Sequence, residues 1–589
     1  MKKLKIDYRD LCALIIIAGA TILRVLLLAH SYPALDSDEG TMGLMAYNIA
    51  FHGEHPIFFY GQGYMGALEA YLAAGSFQLF GVSVFSLRLG LIPIFALFMV
   101  SLYLLSSFLF SKGVALISLL ILSFGSFEVL FRQLEAAGGY PESLLFDAFM
   151  LLSACWLALS AGREAVTFKR WRRLLAYAGW GCLVGVALWS DLVVIPFVVM
   201  SGILLLRFCY RELRLTVLAS LALGFLVGYS PSILYSFNAP AHQGLFKVVM
   251  DTFDFSHTSV SHVVGFFGTM LVSLPIVTGG NPICPLTFEN SWPLSGLMSS
   301  YVQQCTAVHG VWGAGVVILG IVAAGIAIRH YWKLHRVARA QAWTPDERRD
   351  AIRYFGRLML IGSAGIAFVL YVFSSSSALT PWYSARYLIG VVVAIPALIS
   401  PLCQPIVFKN ISSIMKAAVR VGLLLLIGLT FVKGTIDVWG MTPSLQQSFQ
   451  QEDVLIQHLE QIGATRVYAN YWACYRLSFL SDERIICSVV DDRLRPGTNR
   501  YPPFTAIVNS DPQAAYLFDL TTSDGVASDA AFQRRMAFSG ENYQRTVFGG
   551  YAIYQRGLSN RRGAIDCASP HLTTVGLAQS IAPLHLCGW

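Results

Sequence analysis

Apolar runs long enough to cross a lipid bilayer recur along most of this chain. A helix needs about 18–20 consecutive apolar residues to span the hydrocarbon layer. Candidate runs fall near 11–30, 85–110, 113–131, 144–161, 174–190, 191–207, 215–236, 311–329, 355–374, 387–407 and 418–437. Only 13% of the 589 residues are charged, about half the share usual in soluble proteins. That excludes a disordered chain and a single large water-soluble enzyme, whose surface would need more charge. The chain therefore reads as a polytopic α-helical membrane protein with about 11 transmembrane helices. Its net charge of +8 calls for no nucleic acid, because cytoplasmic loops of such proteins retain Lys and Arg.

The basic residues orient the spans. Lys2, Lys3, Lys5 and Arg9 place the N-terminus in the cytoplasm, and Arg163, Lys169, Arg170, Arg172 and Arg173 form the densest basic loop. That loop, the later groups Arg207, Arg211 and Arg214, then Arg329, Lys333, Arg336 and Arg339, then Lys409, Lys416 and Arg420, all share one face on one condition. The weaker apolar stretches 65–81 and 262–278 must not cross. Glu69 and Gln78 argue the same way for the first of these, since a charge at mid-bilayer costs about 2.5–3.5 kcal/mol. A surface or re-entrant helix fits it better. The first run is long for a cleaved signal peptide. The expectation is an integral protein of the plasma (inner) membrane, with a membrane module over 1–437 and outer loops at 31–84, 132–143, 237–310 and 374–386. Residues 438–589 form a small extracytoplasmic α/β domain, with a helix near 451–463 and strands near 465–471, 484–490, 504–509 and 545–555.

The cysteines give an independent check. Cys12, Cys155, Cys182, Cys209 and Cys403 fall in or beside spans, whereas Cys284, Cys305, Cys474, Cys487, Cys567 and Cys587 all fall in segments placed outside. An even number in an oxidising compartment suggests disulfides. Pairing neighbours joins Cys284 to Cys305, Cys474 to Cys487 and Cys567 to Cys587, although six cysteines admit many other connectivities.

Chemistry concentrates in the outer loops. The first carries Asp36, Asp38, Glu39, Glu54 and Glu69 with no Lys or Arg, and continues into Tyr60-Gly61-Gln62-Gly63-Tyr64-Met65-Gly66. Three carboxylates within four residues repel one another unless something uses them. The aromatic and glycine-rich stretch suits a sugar or lipid headgroup, since glycine lets backbone approach a ligand closely. The second loop holds Arg132, Glu135, Gly138, Gly139, Tyr140 and Glu142, readable as a weak surface ion pair or as part of a site shared with the first loop. In the long third loop, His242, His257, His262 and His309 match no standard metal-ligand spacing. The last loop ends Trp382-Tyr383-Ser384-Ala385-Arg386-Tyr387. Arg386 either snorkels to the interface or binds a lipid phosphate, whose oxygens match the guanidinium fork. In the C-terminal domain, the aromatic patch Tyr471-Trp472-Ala473-Cys474-Tyr475-Arg476 reads as packing against the membrane module, and no nucleophile motif or phosphate loop is present.

Together these loops resemble the GT-C superfamily of membrane glycosyltransferases, in particular the branch of protein O-mannosyltransferases and lipid A aminoarabinose transferases. The resemblance rests on Asp38-Glu39 just after the first span and on Leu79-Phe80-Gly81 before Arg88-Leu89. It rests also on Arg132 followed by Glu142, and on Arg386-Tyr387 at the outer end of a late span. It covers most of residues 1–437 in layout. One departure is that Gln62-Gly63-Tyr64-Met65 stands where aminoarabinose transferases have Glu-Lys-Pro-Pro, so the lysine able to hold donor phosphate is missing. The resemblance implies that phosphate binding falls to Arg386 or Arg132. It also implies an inverting transfer of a sugar from a polyprenyl-phosphate donor in the membrane lipid to an extracytoplasmic lipid, glycan or protein. Asp38 would act as general base, with Asp36 and Glu39 orienting it, or with Asp36 and Asp38 holding a divalent metal ion. Glu142 would orient donor or acceptor. Tyr60, Gln62, Tyr64, Glu69, Tyr140, Trp382 and Tyr387 would contribute to substrate binding.

Two other classes compete. A transporter would place charges or broken helices near the bilayer midplane and show internal repeats; here the acids cluster in outer loops and no repeat stands out. A non-catalytic lipid- or glycan-binding subunit would have the same layout without turnover.

Overall fold

In the computed structural model, residues 7–161, 170–238, 262–280, 300–340, 343–403, 413–539 and 542–556 are described. Nine of their helices are long and apolar enough to cross a bilayer, or eleven when each of two bent pairs counts as one span. In chain order the first helices are α1 (Tyr8–Ala29), α2 (Ser37–Tyr47), α3 (Leu68–Phe80), α4 (Val84–Leu89), α5 (Leu91–Leu109), α6 (Lys112–Ser123), α7 (Phe127–Leu134), α8 (Tyr140–Ser160), α9 (Arg170–Ser190), α10 (Ile195–Cys209), α11 (Leu215–Gly228) and α12 (Ser230–Asn238). They are followed by α13 (His262–Gly268), α14 (Leu274–Val277), α15 (Ser300–Ala340), α16 (Pro345–Phe373), α17 (Ser376–Leu379), a 3₁₀ segment Ser384–Ala394, α18 (Ile395–Cys403) and α19 (Ser413–Gln461). Each of the eleven apolar runs in the sequence corresponds to one of these spans or bent pairs. The two weaker stretches do not reach spanning length: α3 has 13 residues, and the run His262–Val277 is one of the shorter apolar helices.

The chain divides into two compact units: Met1–Ala34 with Met45–Gln446, and Leu35–Leu44 with Gln447–Trp589. This differs from a boundary at 437/438 in two ways. The helix α19 runs on to Gln461, and the ten residues after the first span group with the C-terminal unit rather than with the loop 31–84.

Within the membrane unit, small residues bring helices together. Gly181 and Gly185 of α9 face Gly224 and Gly228 of α11, and a Cβ added at Gly224 would lie 1.9 Å from the Ala178 carbonyl oxygen. In lipid, such four-residue spacings of small residues drive helix pairing, because close backbone approach supplies the van der Waals contact. The bend of 82° between α6 and α7 leaves the last carbonyls of α6 without helical partners. The buried guanidinium of Arg24 on α1 satisfies them: it donates to the carbonyls of Leu122 (3.0 Å), Ser123 and Phe124 (3.3 Å), and to Gln133 Oε1 on α7 (2.9 Å).

The C-terminal unit is a small α/β fold. Strands β1 (Arg466–Ala469), β2 (Ile486–Val489), β3 (Ala515–Asp519), β4 (Tyr543–Phe548) and β5 (Tyr551–Arg556) form one sheet in the order β2-β1-β3-β5-β4. The β1–β2 and β1–β3 pairs are parallel, and the β3–β5 and β4–β5 pairs antiparallel. Helices α20 (Tyr471–Leu480), α21 (Pro502–Ser510) and α22 (Ser523–Ser539) alternate with the parallel strands. Cys474 on α20 is disulfide-bonded to Cys487 on β2, with Cα atoms 5.3 Å apart; each of the other two expected pairings includes cysteines outside the described residues.

Three expectations for this unit change. Residues 504–509 are helical, because Pro502 and Pro503 occupy the first turn of α21, where proline's fixed φ and missing N–H favour a helix start. The run 545–555 is a hairpin rather than one strand: Gly549 and Gly550, with φ of +57° and +84°, make a two-residue turn of the kind that needs positive φ twice. The central strand β3 is an addition.

Candidate functional site

The membrane unit contains a buried charged cluster built on α3, α7, α8 and the 3₁₀ segment Ser384–Ala394. Arg132 lies on α7, where Glu128 is four residues earlier and Glu135 three residues later. Its Nε donates to Glu128 Oε1 at 2.9 Å and its Nη1 to Glu135 Oε2 at 2.5 Å. All three side chains are at most 5% exposed, so this is a closed buried triad rather than a surface pair. Arg386 differs. No carboxylate lies within ion-pairing distance of it among the described residues, and its guanidinium sits over Tyr383 (4.0 Å to the ring centroid), Tyr387 (5.4 Å) and Tyr140 (5.7 Å). Arg132 lies over two of the same rings, Tyr140 at 5.7 Å and Tyr383 at 5.8 Å. Tyrosine faces attract cations without neutralising them, so Arg386 keeps its positive charge available.

A second set of carboxylates backs this cluster. Glu69, on α3, is 1% exposed, and its oxygens accept the amides of Gly138 (Oε2, 3.0 Å) and Gly139 (Oε1, 3.1 Å). These glycines have φ of +126° and +83°, and a Cβ at Gly138 would lie 1.9 Å from Met65 Cε. Glu142 is fully buried; its Oε1 accepts from Ser190 Oγ at 3.1 Å. Burial, then the charge and hydrogen bond of Glu142, hold the Glu69 carboxyl well above the usual carboxylate range. Asp191, between α9 and α10, accepts the Val193 amide at 2.9 Å, and burial pushes its carboxyl up to about 7. Asp147 on α8 is fully buried with no hydrogen-bond partner for either oxygen among the described residues.

The aromatic stretch of the first loop forms a groove of about 430 Å³ lined by Phe58, Tyr60, Gln62, Tyr64 and Tyr235 of α12, among others. Trp189 Nε1 ties this loop down by donating to the Ile57 carbonyl at 3.0 Å, and the Gly66 amide donates to the Ser190 carbonyl at 2.9 Å. Trp382 is half-buried beside Tyr383. Arg88 is buried and donates to the carbonyls of Pro33 (2.9 Å) and Ala34 (3.5 Å), which fixes the backbone leading out of α1.

The acidic segment belongs to the C-terminal unit. Asp36 precedes α2 and its Oδ1 accepts the Glu39 amide at 2.8 Å, as an N-cap does. Glu39 is fully buried. Asp38 Oδ1 accepts from the Tyr471 hydroxyl and, at 3.2 Å, from Arg500 Nη2; Arg500 Nε also donates to Tyr471 Oη at 2.9 Å. The aromatic patch at 471–476 thus holds the acidic segment, a contact that sequence reasoning did not foresee. Asp36 and Asp38 do not fit a divalent ion: one carboxylate caps a helix and the other faces a guanidinium. Among the described residues no group of three or more His, Cys, Asp or Glu side chains converges as a ligand set.

No family sequence profile and no curated protein sequence matches the chain. Solved structures do. The ArnT protein of Cupriavidus metallidurans, in a crystal structure bound to undecaprenyl phosphate, is similar over 93% of this chain and 98% of its own, with a TM-score of 0.52 and 12% identity. The oligosaccharyltransferase of Archaeoglobus fulgidus is similar in its apo form over 95% of this chain and 76% of its own (TM-score 0.52, 13% identity). With a tethered acceptor peptide it is similar over 93% and 74% (TM-score 0.51, 14% identity). This is the GT-C fold. At this identity the likeness establishes the fold alone and leaves activity, donor, acceptor and catalytic residues to the chain's own chemistry.

Proposed function

We propose that the protein is an inverting glycosyltransferase that moves a sugar from a polyprenyl-phosphate carrier to a hydroxyl group on an extracytoplasmic lipid, glycan or protein. The GT-C architecture supports this, since ArnT of that fold holds undecaprenyl phosphate. The observation that carries the reading is Arg386: a guanidinium walled by three tyrosines and unpaired with any carboxylate among the described residues, beside an Arg132 already neutralised by two glutamates. A phosphate is the anion such a site lacks.

On this reading the Asp38 carboxylate takes the proton of the acceptor hydroxyl as the acceptor oxygen bonds to the anomeric carbon. The bond from that carbon to the phosphate oxygen breaks, its electron pair leaves on the polyprenyl phosphate, and Arg386 balances the charge that develops there. Tyr60, Gln62 and Tyr64 line the sugar groove, and Tyr140, Tyr383 and Tyr387 frame Arg386, with Trp382 next to Tyr383 in sequence. Glu69 acts from behind by holding the Gly138–Gly139 turn, and Glu142, held by Ser190, orients donor or acceptor. The N-terminus lies in the cytoplasm and the C-terminal domain outside the plasma membrane; the Cys474–Cys487 disulfide favours that side, since disulfides persist in oxidising compartments.

The test is turnover by purified, reconstituted protein given a radiolabelled polyprenyl-phosphate sugar and a membrane extract as acceptor. Release of free polyprenyl phosphate with transfer of label is expected, and Asp38→Asn should abolish it with little loss of expression. A protein that moves the labelled lipid across the bilayer without cleaving it is a transporter, and unimpaired turnover by Asp38→Asn removes the base assignment.

A further inference from the structure

The Asp38 carboxylate is held asymmetrically. Both of its donors, the Tyr471 hydroxyl and Arg500 Nη2, meet Oδ1, while Oδ2 has no partner among the described residues and the side chain is 16% exposed. Arg500 spans the arrangement with its fork: Nη2 reaches the carboxylate and Nε reaches the Tyr471 hydroxyl oxygen at 2.9 Å. A rigid guanidinium holds two such partners in one fixed plane, whereas an ammonium is a point charge on a flexible stem. Burial, then the Asp38 charge, pushes the Tyr471 phenol above its ordinary value, so it keeps the proton it donates.

These contacts are not what docks the acidic segment. Ser37 Oγ donates to the Tyr471 carbonyl and accepts the Tyr475 amide at 3.1 Å. Gly40 lies so close to the backbone of Tyr475 and Arg476 that an added Cβ would sit 2.8 Å from it. The Tyr475 hydroxyl in turn accepts the Arg500 amide at 2.6 Å, which sets the loop that delivers the arginine. With the helix placed by Ser37 and Gly40, the Asp38–Tyr471–Arg500 triangle has one remaining effect. It fixes the plane of the carboxylate and presents Oδ2.

We infer that the C-terminal unit is part of the catalytic machinery: Tyr471 and Arg500 are positioning residues that orient Asp38 so that Oδ2 receives the acceptor's proton. This rests on the reading of Asp38 as the base. Both residues follow parallel strands of the sheet: Tyr471 opens α20 just after β1, and Arg500 lies between β2 and α21. The carboxyl ends of such strands are where open α/β sheets place their ligands. Here the position is taken by a segment of the chain itself.

The experiment uses full-length reconstituted protein and the radiolabelled donor assay. Tyr471→Phe removes one oxygen atom and should lower kcat about 10-fold, and Arg500→Gln about 100-fold, the range expected for a misaligned general base. KM should stay within about twofold in both, because the lost interaction matters only in the transition state. Arg500→Lys should recover part of the loss. Arg495→Gln, which breaks an exposed ion pair with Asp491 in the same unit, should leave kcat unchanged. Full kcat in Tyr471→Phe and Arg500→Gln, with Asp38→Asn inactive, overturns the inference and spares the base; a raised KM at unchanged kcat overturns it by placing these residues in substrate binding. An active Asp38→Asn overturns the base itself. Where Arg500→Gln does not fold, Tyr471→Phe decides.

Discussion

Glu69 holds Gly138: its Oε2 lies 3.0 Å from the glycine amide, so a helix too short to span a bilayer carries the carboxylate that fixes the turn between α7 and α8. Glutamine at position 69 has one acceptor oxygen in place of two and turns donors toward a backbone amide. Glu69→Gln should therefore cost about 1–3 kcal/mol, the penalty of a buried unsatisfied group. The check is the melting temperature in detergent; a melt unchanged from wild type refutes the clamp.

Asp191 gives the protein a pH dependence of definite sign. Its folded carboxyl titrates at about 7 against an unfolded value of 3.8, with burial as the main cause. The folded state therefore binds a proton that the unfolded state has released. The contribution to stability is fully present below about 3.8 and declines as pH rises to about 7. Asp191→Asn retains an oxygen for the Val193 amide while removing the titration, so its melting temperature should fall less than that of wild type between pH 4 and 7. Parallel slopes for the two proteins would sink the assignment.

Arg132 and Arg386 should separate stability from function. Removing Arg132 strands two buried glutamates, and breaking a buried ion pair in this way costs about 3–5 kcal/mol, so Arg132→Gln should express poorly or melt early. Arg386→Gln strands no carboxylate among the described residues. It should fold normally, with turnover of the polyprenyl-phosphate donor reduced at least about 100-fold. Equal melting losses in the two variants would contradict the difference in pairing.

The Cys474–Cys487 bridge closes a 13-residue separation between α20 and β2. A loop of that length contributes about 3 kcal/mol by restricting the unfolded chain. The double variant Cys474→Ser/Cys487→Ser should make the C-terminal unit more sensitive to limited proteolysis, and reduction of wild type should have the same effect. Identical cleavage with and without reductant would show that the bond contributes little.

The membrane architecture is legible because spanning a bilayer demands a composition that nothing else does, and each apolar run became a helix or a bent pair. The buried site is legible in part. Arg132 stands out as a charge in an outer loop, and its partners were visible in principle, since Glu128, Arg132 and Glu135 share a helix face at spacings of four and three. Asp147 and Asp191 escape a hydropathy reading because one acid in an apolar run is averaged away. Arg500 and Tyr471 have no local signal at all: they meet Asp38 across more than 400 residues of sequence. In the C-terminal unit, Phe504 to Asn509 looks like a strand by residue type, and only the two preceding prolines reveal a helix.

The grouping of Leu35–Leu44 with the last part of the chain has a practical consequence for engineering. The C-terminal unit cannot be excised, exchanged between homologues or expressed alone as a contiguous C-terminal fragment without losing a helical piece of its own fold. A viable chimera has to transplant the ten residues following the first span together with everything after position 446, as one discontinuous cassette.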